Sequence, residues 1–139
     1  MGRILAIDYG QKRVGLAVTD ELQIIATPLG TILSADVLRF LKEYVTKNQV
    51  DCFVVGEARQ MNNTLSESSR FIEPFVQRLQ KEFANIPVER IDERFTSVMA
   101  TNAIREAGMK RKDRQNKALV DTVSAVIMLQ SFMEVKNFK

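Results

Sequence analysis

Carboxylates are the side chains best placed to do chemistry in this sequence, because it contains no histidine. That absence removes Ser-His and Cys-His nucleophile pairs and the usual zinc sites. Asp8 closes the apolar run Ile4-Leu5-Ala6-Ile7, Glu57 follows the run Val50 to Gly56, and Asp92 and Glu93 end the stretch PVERIDE. Asp121 stands among Leu119, Val120, Val123 and Val126, an unusual setting for a plain solvated charge. Carboxylates brought together from separate elements suit hard, oxygen-seeking cations such as Mg²⁺ or Mn²⁺. Two such ions about 3.5 to 4 Å apart activate water and stabilise a leaving oxygen in phosphodiester hydrolysis, with no protein nucleophile needed. Lys12 and Arg13 beside Asp8, and Lys110, Arg111, Lys112, Arg114 and Lys117 before Asp121, would then hold the phosphates. Plainer alternatives stand beside each reading: Asp8 as a cap of its own turn, the basic segment as a solvated loop, Asp121 as a helix residue bonded to a neighbouring strand.

The elements that must position these groups follow from hydrophobic pattern. Arg3 to Asp20 reads as two strands joined by the polar turn Gly10-Gln11-Lys12-Arg13. Alternation puts Ile4, Ala6 and Asp8 on one face and Leu5, Ile7 and Tyr9 on the other, with Gly10 leaving room for a ligand to approach the backbone. Gln23 to Leu33 is β-branched but interrupted by Pro28 and Gly30, which predicts an edge strand. Ser34 is placed to cap a helix running to about Asn48, and Val50 to Gly56 is the nearly continuous apolar run of a parallel strand covered on both faces.

Further on, Thr64-x-x-Glu67 has the form of a capping box, and Ile72, Phe75, Val76, Leu79 and Phe83 make a helical stripe. Pro74 within that stripe predicts a kink or a later helix start. Pro87 to Asp92 is a short strand, Thr96 or Ser97 opens a helix ending near Gly108, and a last helix spans roughly Asn116 to Met133. That helix is expected to bury Leu119, Thr122, Val123, Val126 and Leu129, with Asp121 on a face of small residues, Ala118, Ser124 and Ala125. The pattern describes an α/β sheet that begins with an antiparallel meander, and ligands in such sheets bind beyond the carboxyl ends of the strands.

Composition sets bounds on partners and place. The 139 residues suit a single domain spanning 1–139, and 45% apolar with 27% charged residues is ordinary for a globular protein. A net charge of +3 permits a polyanionic partner without demanding one. The opening MGRILAIDYG is too short an apolar run for a signal peptide and no stretch reaches membrane-spanning length, so a cytoplasmic protein without a membrane partner is expected. Cys52, the single cysteine, reads as a small core residue.

The segments AIDYGQKRVGLAVTD, VVGEARQMNNT, DERFTSVMA and ALVDTVSAVIMLQ, in order and over nearly the whole chain, closely resemble the YqgF (RuvX-like) family, described as pre-16S rRNA nucleases and Holliday junction resolvases. The resemblance implies a ribonuclease H-like fold: a five-stranded mixed sheet with helices on both faces and metal-dependent nuclease chemistry. By motif it implies Asp8 as the first acid, Glu93 as the second and Asp121 as the third, with Arg94, Thr96 and Ser97 positioning Glu93 or a phosphate.

Where the family usually carries a Gly-Leu-Pro sequence, this chain has Gly56-Glu57-Ala58, so Glu57 is either a supplementary metal ligand or a surface substitution. Adjacent residues of an extended strand point to opposite faces, so Asp92 and Glu93 cannot both face a metal unless the strand has ended. Pre-rRNA and branched DNA both remain open as substrates, and a monomer or weak homodimer is expected. A nucleic-acid-binding module without catalysis is the competing class. An ATP-binding reading ranks last, since hairpins of this kind in actin-like folds work in pairs of domains and the chain has length for one.

Overall fold

The structure is a computed structural model that describes residues 2–57, 69–92 and 117–137; for Ser69 and for residues 117–121 and 135–137 only the backbone is described. Five strands form one mixed sheet: β1 (Arg3–Tyr9), β2 (Arg13–Thr19), β3 (Ala26–Leu33), β4 (Val50–Glu57) and β5 (Val88–Asp92), in the order β3-β2-β1-β4-β5. The first three make the antiparallel meander, and β4 and β5 add in parallel beside β1. Three α-helices are described: α1 (Val37–Lys47), α2 (Ser69–Glu82) and α3 (Lys117–Asn137).

The two sheet faces carry side chains of different size. Leu5, Ile7, Leu16, Val18, Phe53 and Val55 cover one face and pack on Val37 and Leu41 of α1 and on Ile72, Phe75, Val76 and Leu79 of α2. On the other face Ala17, Ala6 and Val54 lie side by side across β2, β1 and β4, and Ala125, Met128 and Leu129 of α3 close over them. Alanines at that contact let the helix sit near the sheet, and every one of these residues is removed from water, which is the main source of stability here.

The last helix differs from its sequence expectation. Leu129 is buried as expected, but its partners in the stripe are Ala125 and Met128, whereas Thr122, Val123 and Val126 are only half-buried, the side chain of Leu119 lies outside what is described, and the helix extends to Asn137. A mostly apolar helix offers several faces to bury, so packing against small sheet residues chooses among them.

Two other local expectations change. Ser34 does not cap α1: a short 3₁₀ turn, Ser34–Asp36, precedes the helix, and the Ser34 hydroxyl donates to the Gln11 carbonyl at 2.7 Å. Helix α2 is described from Ser69 and runs through the exposed Pro74, so the helix start is not shifted to the proline.

Edge strand β3 carries a β-bulge. Pro28 pairs with Ala17 and Gly30 with Leu16, leaving Leu29 as the extra residue, and Gly30 takes φ of +139°. A one-residue shift sends the following side chains to the other face. Thr31 thereby lands opposite Gly15.

The β2–β3 loop is held by Asp20, whose carboxylate accepts from Ile24 and Ile25 N–H at 2.7 and 2.8 Å. Gln23, at φ 59°, donates from its side chain to the Gly2 carbonyl. This loop carries Leu22, Ile24 and Ile25 into solvent at 61–66% exposure, at the end of the sheet away from Asp8.

Candidate active site

Asp8 sits near the carboxyl end of β1, half-buried, on the face that α3 covers, as the alternation Ile4, Ala6, Asp8 requires. It pairs with Gly15 of β2, and Gly15 pairs with Thr31 of β3. The three form one row across the sheet, in which the buried Gly15, without a side chain, stands between Asp8 and Thr31. The Thr31 hydroxyl lies 2.6 Å from that of Thr122, a hydrogen bond that fixes the first turns of α3 at the level of Asp8. Asp121 is the residue before Thr122 and one turn before the buried Ala125; its own side chain lies outside what is described.

The turn after Asp8 is tight for an internal reason. A Cβ on Gly10 would come within 2.6 Å of the Arg13 carbonyl, and the Gly10 N–H donates to that same carbonyl at 3.0 Å. Glycine is therefore required by the turn itself, whatever binds beside it. Ser34 ties the turn down from outside, its N–H donating to the Lys12 carbonyl and its hydroxyl to that of Gln11. Lys12 is exposed in this turn and Arg13, half-buried, opens β2, so both cationic residues stand at the same sheet edge as Asp8.

Glu57 is placed differently. It ends β4 on the face of Phe53 and Val55, the side of α1 and α2, and pairs with Asp92 of β5. Asp92 shares its face with Arg90, which reaches α2. Ile91 packs on the α3 side, and β5 is described only to Asp92, one residue short of the second acid that the sequence suggests. That residue, Glu93, lies outside the described residues, as do Arg94, Thr96, Ser97, Lys110, Arg111, Lys112 and Arg114. The expected helix from Thr96 or Ser97 to Gly108 and the Thr64 to Glu67 capping box lie there too. Lys117 begins α3, with only its backbone described. Among the described residues no group of three acidic or cysteine side chains is placed to hold a metal ion.

Arg90 organises the strand ends, a role that its sequence surroundings do not mark. Its guanidinium donates to both carboxylate oxygens of Glu73 at 2.8 and 2.7 Å, and to the carbonyls of Val55 and Gly56. One side chain thus joins β5, α2 and the end of β4 in a bidentate geometry that lysine cannot copy. Arginine in a short polar strand gives no local sign of this, since its acceptors lie 17 to 35 residues away.

The model of the family described as "RuvX: Holliday junction resolvase" matches residues 2–135. The chain belongs to the RuvX family. A protein of Bacteroides thetaiotaomicron named "Putative pre-16S rRNA nuclease" is 54% identical over 138 residues, 99% of this chain and 100% of that protein. A protein of Phocaeicola vulgatus with the same name is 56% identical, covering 99% of each. Among solved structures, Thermus thermophilus RuvC in complex with a Holliday junction substrate aligns with a TM-score of 0.54 at 17% identity, over 96% of both chains. A further Thermus thermophilus RuvC structure aligns at 0.55 and 15% identity. At that identity the likeness speaks for the fold, and it is the fold described above: a five-stranded mixed sheet with helices on both faces.

Proposed function

We propose that this RuvX-family chain is a metal-dependent endonuclease that hydrolyses phosphodiester bonds in structured nucleic acid and processes the 5′ end of pre-16S rRNA in the cytoplasm. The observation that carries the proposal is the row Asp8, Gly15, Thr31 with Thr122 bonded to its end, since it sets the first turns of α3 beside Asp8. Curated relatives at 54–56% identity bear the rRNA nuclease name. Among the described residues no helix is long and apolar enough to cross a membrane.

In this reading Asp8, Glu93 and Asp121 hold Mg²⁺ or Mn²⁺. The fit rests on donor chemistry: a carboxylate at the strand's carboxyl edge, opposite a glycine, in a chain with no imidazole to compete. Bound cations supply an activated water and charge stabilisation for the leaving oxygen. The chain's own residues then orient the substrate. Lys12 and Arg13 meet the backbone on one side of the scissile phosphate, and Arg94, Lys110, Arg111, Lys112, Arg114 and Lys117 meet it on the other. Glu57 stands outside the metal set, because its strand position assigns it to the opposite face from Asp8.

The family description favours a second substrate, a four-way DNA junction. Cleavage of structured RNA and of junction DNA, compared in Mg²⁺, Mn²⁺ and EDTA, tests both. Cleavage of RNA alone supports rRNA processing, cleavage of the junction alone supports resolution, and cleavage of neither in any metal rejects the nuclease in favour of a binding module. Neutralising Lys110, Arg111 and Lys112 is expected to lower the salt slope of binding by about 0.7 to 0.9 for each phosphate that the protein no longer neutralises. The oligomeric state we propose is a monomer or weak homodimer, which sedimentation over a concentration series decides.

A further inference from the structure

The end of β1 has two sides, and the nuclease reading uses only one of them. Asp8 turns toward α3, whereas Tyr9, the next residue, belongs to the face of α1 and α2. The Tyr9 ring stacks on Phe75 of α2 with centroids 4.3 Å apart and planes 14° from parallel. Phe75 is itself buried, so the tyrosine ring is backed by the core and held in one orientation. Beside it opens a cavity of about 240 Å³ walled by Tyr9, Ser34, Ala35, Leu38, Phe75 and Arg78. Arg78 is exposed at the rim and has no ion-pair partner among the described residues. The Ser34 hydroxyl, although it donates to Gln11, keeps lone pairs free to accept from a ligand.

We propose that this cavity is a nucleotide subsite that takes one unpaired base of the substrate strand next to the scissile phosphate. A rigid aromatic wall, a hydroxyl at the floor and a guanidinium at the rim are what an unpaired nucleotide uses: a face to pack on, a polar edge contact and a cation for its phosphate. A volume of about 240 Å³ is of the size that one base needs. Its position fits the same strand, because Tyr9 and Asp8 are neighbours about 3.8 Å apart along the chain and point to opposite sides of one sheet edge. A strand crossing that edge with its phosphate at Asp8 brings an adjacent base to Tyr9. Lys12 and Arg13, in the turn that follows, stand at the same end of the sheet. The subsite rests on the proposed nuclease reading and sharpens it: substrates with a single-stranded nucleotide flanking the cleaved bond are preferred over continuous duplex.

The test is equilibrium binding by the full chain, in EDTA so that nothing is cut, of a fluorescent RNA hairpin with a short single-stranded extension and of the same hairpin made blunt. Ala35→Trp fills the cavity from an exposed wall position without touching the core, and Arg78→Glu reverses the rim charge. Tyr9→Leu removes the platform while Tyr9→Phe keeps it; melting temperatures identify any variant that fails to fold. Ala35→Trp and Tyr9→Leu should weaken binding of the extended RNA roughly 5- to 150-fold, the range of one base–aromatic stack, and leave the blunt hairpin unchanged. One abasic position in the extension should weaken wild type by a similar factor and weaken Ala35→Trp no further. A folded Ala35→Trp protein that binds the extended RNA as wild type does overturns the subsite. Wild type that binds both hairpins equally also overturns the subsite alone, whereas wild type that binds neither overturns the subsite together with the RNA substrate on which it rests.

Discussion

The hydroxyls of Thr31 and Thr122 stand 2.6 Å apart and join the edge strand β3 to the start of α3, in the same row of the sheet as Asp8. The bond is short and half-buried, and it couples the two elements that flank the candidate site. Thr31→Val and Thr122→Val should each lower stability by about 0.5 to 1.5 kcal/mol, and the double substitution by less than the sum, because the first change already leaves the second hydroxyl without this partner. Urea unfolding of the four proteins measures the coupling. Cleavage should fall further than stability alone explains, since the bond sets where Asp121 is carried.

Gly30 holds the bulge that brings Thr31 into that row. Its φ of +139° is open almost only to glycine, and nothing lies within 4 Å of where a Cβ would point. Gly30→Ala should therefore cost about 1 to 3 kcal/mol through backbone strain with no steric clash, and should reduce cleavage with the register change. Thermal melts read the first effect. If the melting temperature is unchanged, the bulge is not held by this glycine.

Asp8→Asn should abolish cleavage and leave the fold intact. The substitution removes one charge from the acidic site and keeps its shape, so the metal-free protein should melt at the wild-type temperature or slightly above. Wild type should gain about 2.7 kcal/mol at a metal concentration a hundredfold above its dissociation constant, and the variant much less. Melting curves with and without Mn²⁺ check this directly, independently of any substrate.

Arg90 and Glu73 are 22% and 35% exposed, so their pair is worth more than a surface ion pair and less than a fully buried one. Arg90→Lys should break the hydrogen bonds to the two carbonyls and the fork to Glu73, lowering stability by about 1.5 to 3 kcal/mol. Urea unfolding is the measurement, and an effect as small as that of replacing a surface lysine would mean the strand ends are held by packing alone.

The Asp20 carboxylate is held below its ordinary value of 3.8, chiefly by the N–H of Ile25 and then that of Ile24, against a smaller opposing desolvation. A folded-state value below the unfolded one means its contribution is fully present above pH 3.8 and is lost as pH falls through the folded value. Asp20→Ala should melt earlier than wild type at neutral pH, with the gap closing in acid below that ordinary value. Melting both proteins across this range checks the sign, and a gap that widened in acid would reverse the assignment.

The sequence by itself determined β1, β2 and β4, because each is a short apolar run bounded by turn residues, and it determined the meander, because turns this short permit only antiparallel return. The face of Asp8 was legible too, since strand side chains alternate with a period of two, and the absence of histidine limited the chemistry to carboxylates. Tertiary structure decided the rest. A bulge at Leu29 adds one residue and exchanges the faces of β3, which the interruptions at Pro28 and Gly30 hint at without fixing their effect. Glu57 and Asp8 look equivalent as acids at strand ends, yet the parallel register assigns them to opposite faces. The apolar last helix offered several candidate stripes, and only contact with Ala6, Ala17 and Val54 selected the one through Ala125 and Leu129. Arg90 and the Tyr9–Phe75 stack depend on partners far away in the chain, and no local pattern encodes a distance that folding alone brings to contact.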